Sequence, residues 1–134
     1  MMLKVIPNRQ LAISIKALTE SRFLFLSSVD QEKFTTIVAE TYYEIIKSLC
    51  SAILIIYGLK AHGEYAHREL IRAMAGYGLN SNEIAIVDDL RVRRNNSLYE
   101  GREIEYSYLE NLGKSTMHII AKLRIILDNR LSVI

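Results

Sequence analysis

Between Gln31 and Tyr57, apolar side chains recur at steps of three and four residues, and neither proline nor glycine interrupts them. Phe34, Ile37, Val38, Tyr42, Ile45, Ile46, Leu49, Ile53 and Ile56 carry the pattern. That period belongs to an α-helix, in which positions three and four apart stack on one face. From Ser48 to Tyr57, "SLCSAILIIY", the helix is apolar nearly all round. Such a helix must be enclosed by other elements, so it should lie centrally in a helical bundle. The run is too short for a bilayer span, which takes about twenty apolar residues. Lys47 and Lys60 flank it.

The 134 residues include one proline and six glycines. Such sparse punctuation suits long helices with few turns better than a β protein. The length suits one domain, residues 1–134, with a sizeable core. The first helix begins after Pro7, which suits the first helical turn, and runs to about Leu26. Leu11, Ile15, Leu18 and Phe23 or Leu24 form its stripe. Ser28 or Asp30 caps the second helix, Gly58 stops it, and "LKAHG" is a loop. A short third helix covers about Glu64 to Ala75 and ends at Gly76 and Gly78. Asn80 opens the fourth, with Glu83 three residues on in a capping-box relation, and Gly101 ends it. The fifth spans about Glu103 to Leu131. Its stripe is Leu109, Leu112, His118 or Ile119, Leu123 and Ile126, and Gly113 marks a bend or close packing. The expectation is an all-α bundle of four long helices plus one short helix.

The formal net charge is +2, so no global basic field exists and anion binding must come from local clustering. A single cysteine, Cys50, excludes an intrachain disulfide and a multi-Cys zinc site; within its apolar run it reads as a buried thiol. The polar N-terminal region lacks a signal-peptide core. These features predict a soluble, cytoplasmic protein with no membrane association.

Local clustering is found at residues 91–101, "RVRRNNSLYEG". On a helix Arg91, Arg94, Asn95 and Leu98 share one face, and Arg93 points elsewhere. Asp88 and Asp89 stand where they can pair with the arginines at steps of three and four, so the stretch reads in part as a basic helix end balanced by acids. The alternative is a phosphate clamp, because a guanidinium fork matches phosphate oxygens two at a time. Two consecutive asparagines are costly in a helix, and sequences usually break local rules at caps or sites. Asn95 and Tyr99 lie four apart on one face, whereas Arg94 and Tyr99 are about 140° apart around an ideal helix. Convergence of that pair would need a helix end between them or a second subunit. Tyr99 also reads as a helix-end aromatic over the core, and Tyr42 and Tyr43 as core and core rim. Glu40 and Glu44 on the central helix would face the arginine cluster.

The histidines offer less. His62 sits in the loop, His67 begins the third helix, and no carboxylate or cysteine cluster joins them, so no metal site is expected. His118 falls on an apolar stripe and reads as a core histidine. No nucleophile elbow, P-loop or dinucleotide fingerprint is present, and no cofactor is expected.

Taken in order, these features resemble the HEPN domains of prokaryotes. The signature of that family is an arginine, usually followed by a polar residue, with a histidine four to six positions on. Arg94-Asn95 with Tyr99 at the later position looks like it. Upstream, residues 42–71, "YYEIIKSLCSAILIIYGLKAHGEYAHRELI", are similar to the family's central helix, its Gly-x-Lys end and its third helix. The resemblance covers most of residues 30–127. It implies an up-and-down helical bundle, a homodimer with both motifs in one cleft, and metal-independent RNA cleavage in a toxin–antitoxin or defence setting. A nucleotidyltransferase antitoxin is the implied partner. Arg94, Asn95 and Tyr99 would be the catalytic set, Arg91, Asn96 and Arg102 phosphate or RNA contacts, and Glu40 and Glu44 accessory groups. The sequence departs from the family at Tyr99, where a histidine is expected. Histidine suits base catalysis near neutral pH; tyrosine, with an ordinary pKa of about 10, suits proton donation or phosphate contact. The alternative is a non-catalytic helical module that binds a nucleotide, RNA or a nucleotidyltransferase through the same face.

Overall fold

The computed structural model describes residues 1–133. Five α-helices and a two-stranded antiparallel ribbon make up the fold: β1 Met2–Lys4, α1 Arg9–Ser27, α2 Thr35–Ile56, β2 Leu59–Ala61, α3 Ala66–Ala73, α4 Ser81–Glu100 and α5 Tyr106–Ser132. A 3-10 turn, Met74–Gly76, follows α3. The expected four long helices and one short helix are all present.

Helix α2 is the centre, as its all-round apolarity requires. It packs against α1, α3, α4 and α5 and between Tyr42 and Leu54 buries Tyr43, Ile45, Ile46, Leu49 and Ile53 among others. Cys50 lies within this core, where burial pushes its thiol up to about 12 and leaves it unreactive at neutral pH. The helix starts later than its periodicity predicts. The Asp30 carboxylate accepts from the backbone N–H groups of Glu32 and Lys33, holding residues 31–34 in a turn. Phe34 and Ile37, expected in the stripe, are consequently exposed near that end.

Helix α1 is rotated relative to its predicted stripe. Ala12, Thr19 and Leu26 are buried, with Ile15 and Phe23 partly so. Leu11, Leu18 and Leu24, one position off that line, are exposed. The helix begins after Pro7, as expected, and the Asn8 side chain caps it by accepting from the Leu11 N–H. On α5, Ile119 takes the stripe position and His118 faces outward, which corrects the core reading of that histidine. Gly113 lies within continuous helix, with open space where a Cβ would stand.

The ribbon is absent from the sequence reading, which assigns "LKAHG" to a loop. Leu3 pairs with Lys60 and Lys4 with Leu59, and the Val5 N–H donates to the Gly58 carbonyl at 2.7 Å. A three-residue strand leaves no alternation to read, and its partner lies at the other end of α1 and α2. The ribbon fixes the chain just before α3.

Helix α4 follows its signals. Asn80 and Glu83 form a reciprocal capping box, and Lys122 of α5 meets Glu83 at 2.7 Å. Gly101 closes the helix at φ +66°, and its N–H and that of Arg102 donate to the Ser97 and Asn96 carbonyls. Arg124 of α5 donates two hydrogen bonds to Glu20, joining α5 to α1. No helix among the described residues is long and apolar enough to cross a membrane.

Candidate functional site

The exposed side of α4 faces α3 across a cavity of about 290 Å³. Arg91, Arg94, Asn95 and Tyr99 line it from α4; His67 and Arg68 line it from α3. Four of the residues singled out by the basic stretch therefore share one recess. The helix runs unbroken through Glu100, so no helix end brings Arg94 and Tyr99 together. Arg91, Asn95 and Tyr99 succeed one another at steps of four on the side toward α3, while Arg94 lies at its edge.

The three arginines differ in their partners. Arg91 donates to Asp88 at 2.9 Å, and Arg93 pairs with Asp89 at 3.7 Å, as their spacing suggests. The Arg93 guanidinium also stands 4.9 Å from the centroid of the Tyr108 ring, so it belongs to the packing of α4 on α5. Among the described residues Arg94 has no carboxylate at ion-pair distance. It donates to the Asn95 side-chain oxygen at 3.2 Å and lies 5.3 Å from the centroid of the Tyr43 ring. A guanidinium held on an aromatic face, with its charge unneutralised by direct contact, keeps donors for an incoming anion.

Arg94 also borders a second cleft, on the side of α1 and α2. Glu40, Glu44, Phe25 and Leu98 line that cleft. Both glutamates thus come near Arg94, as expected, but not into the recess with Tyr99. Glu40 accepts from the Ser97 hydroxyl at 3.1 Å, and Glu44 pairs with Lys47 at 3.1 Å. Phe25, Ile37 and Leu98, which border this cleft, are 53%, 52% and 52% exposed, an apolar patch directly beside a charged side chain.

The remaining candidates lie apart. Arg102 follows α4, pairs with Glu100 at 2.9 Å, and lines a third cleft that contains Glu32, Glu103 and Glu105. Asn96 is partly buried, and its carbonyl serves the helix cap. Tyr99 is 77% exposed and covers no core, so its reading as a core-capping aromatic does not hold.

His67 belongs to no motif in the sequence, yet it lines this recess. Its ring lies 6.2 Å from Tyr43, the ring that also carries Arg94. Burial, with Lys47, Arg94 and Arg91 close by, lowers its pKa below the ordinary value, and Glu44 opposes the shift only in part. At neutral pH the imidazole is therefore uncharged. Its place could have been read from α3: His67 stands three and four residues before Leu70 and Ile71, which are buried, so it shares their inward side. Beneath the site the Tyr43 hydroxyl is buried without a hydrogen-bond partner among the described residues, and burial raises its pKa.

No three side chains of His, Cys, Asp or Glu come together as a metal ligand set among the described residues. No family model, curated protein or solved structure matches the chain.

Proposed function

We propose that the protein is a HEPN-type, RNA-directed protein of the toxin–antitoxin or defence kind, acting in the cytoplasm as a homodimer. One observation carries the reading: Arg94 reaches a recess shared with Arg91, Asn95 and Tyr99 without a carboxylate partner of its own. A phosphodiester fits that arrangement. Arg94 would hold the phosphate and stabilise charge developing on it, Asn95 would orient the guanidinium, and Arg91 would add a second cation. The apolar patch of Phe25, Ile37 and Leu98 beside Arg94 suits a second copy, which would bring two Arg94 side chains into one cleft. A nucleotidyltransferase is the partner that the resemblance implies.

The test is incubation of tRNA and total RNA with the pure protein in the absence of divalent metal. Wild type is expected to cleave; Arg94→Ala should be slower by about 10²-fold, the range for removal of one transition-state contact. Arg93→Ala, which alters a packing cation, should stay within about threefold. Equal cleavage by wild type and Arg94→Ala, or cleavage by neither, removes the catalytic reading.

The exposure of Tyr99 favours a second reading. A phenol open to solvent at the motif position contacts phosphate readily but is a weak base, which suits a module that binds RNA or a nucleotide without cleaving it. In that case affinity falls steeply with salt and Arg94→Ala lowers the slope by about one.

A further inference from the structure

The signature position carries a tyrosine, yet an imidazole faces the same recess from another helix. We infer that His67 of α3 takes the proton of the attacking 2′-hydroxyl and that Tyr99 does not. This rests on the proposed RNA cleavage.

Geometry carries the assignment. His67 and Arg94 are placed by one rigid platform, the fully buried Tyr43: the imidazole lies 6.2 Å from its ring and the guanidinium 5.3 Å. Both side chains line the recess that holds Arg91, Asn95 and Tyr99. A phosphate seated between Arg91 and Arg94 therefore has His67 on its α3 side. The ribbon of β1 and β2 and the burial of Leu70 and Ile71 fix the start of α3, so the imidazole is held by the fold.

The surroundings keep the imidazole in its basic form. The charged groups that act on it are Lys47 and Glu44 of α2 and Arg91 and Arg94 of α4; Arg68 of α3 and Glu64 before it line the same recess. Burial lowers the imidazole pKa most, and Lys47, Arg94 and Arg91 act in the same direction against Glu44. Bound phosphate would offset part of this positive charge, stabilising the imidazolium as it forms.

In the step, the 2′-hydroxyl gives its proton to His67 and the 2′-oxygen attacks phosphorus. The phosphorus–5′-oxygen bond breaks, and the leaving oxygen takes a proton from the Tyr99 hydroxyl, which solvent replenishes. The products are a 2′,3′-cyclic phosphate and a 5′-hydroxyl; no oxidant, metal or co-substrate is consumed.

The experiment compares wild type, His67→Ala and His67→Gln on a short 5′-labelled RNA without metal, alongside binding to the same RNA made uncleavable with a 2′-O-methyl group. Wild type should yield cyclic phosphate, and both variants should be slower by about 10²-fold or more with binding within about threefold. Added imidazole should restore cleavage to His67→Ala. The acid limb of the wild-type pH–rate profile should fall below pH 6.5, match the His67 midpoint read by NMR, and vanish in His67→Gln. Cleavage by His67→Gln within threefold of wild type, or an NMR midpoint above about 7, overturns the assignment while leaving the RNA-cleavage reading intact. If wild type itself cleaves no RNA, that reading falls and His67 falls with it.

Discussion

Single side chains in this protein are decided by what stands next to them. Arg91, Arg93 and Arg94 fall within four residues, yet the first two are matched by aspartates, while Arg94 rests on the Tyr43 ring with no carboxylate at ion-pair distance among the described residues. Glu83 shows how far such surroundings reach. Burial alone would raise its pKa, but the hydrogen bond from Lys122 and the Asn80 N–H outweigh burial and lower it. A carboxylate whose folded value lies below its unfolded value stabilises the fold above the unfolded value, and that contribution is lost as pH falls through the folded value. The unfolded value is 4.5, so the loss begins near there and continues to lower pH. Glu83→Gln should therefore cost about 1–2 kcal/mol at pH 7 and show a flatter loss of stability below pH 4.5 than wild type. Urea unfolding at several pH values checks both. Residues 80–83 were legible in sequence because a capping box is local; the Lys122 contribution was not, because it arrives from a different helix.

At the scale of elements, the least visible one in the sequence positions the site. Gly58 joins α2 to β2 at φ +68°, and a Cβ there would run into the Val5 carbonyl oxygen and stand 3.0 Å from Pro7. Gly58→Ala is expected to destabilise the fold by about 1–3 kcal/mol, from backbone strain and from displacement of the β1 segment. Gly113→Ala should act in the opposite direction, gaining about 0.5–1 kcal/mol, because that glycine is helical and its surroundings are open. Thermal unfolding of the pair distinguishes the two effects; equal shifts of the same sign would refute this account of the ribbon junction. The long helices were readable because each carries a period repeated over several turns. Their rotation was not: on α1 a line through Leu11 and Leu18 and a line through Ala12 and Thr19 both repeat every seven residues, and the packing of α1 on α2 buries the smaller side chains.

The molecule as a whole leaves an apolar patch uncovered on the side of α1, α2 and α4. Phe25, Ile37 and Leu98 surround the outer cleft of Arg94, and further along α1 Leu18 and Leu24 are exposed. Under the proposed dimer, wild type should sediment as two chains at micromolar concentration, and Leu98→Glu as one. Leu98 is half exposed, so the substitution should leave the monomer's unfolding temperature within a few degrees. A wild-type monomer at micromolar concentration would refute the dimer. By itself the sequence determined the helical class, the central helix, the caps of α4 and the stretch where a basic site would lie. These follow from periodicity and from contacts within a few residues, both written directly along the chain. Tertiary structure alone decided that β1 and β2 pair, that Arg94 rests on the Tyr43 ring, and that His67 shares a recess with Arg94. The recess depends on α3 and α4 packing side by side against α2, and contacts between residues distant in sequence leave no local pattern to read.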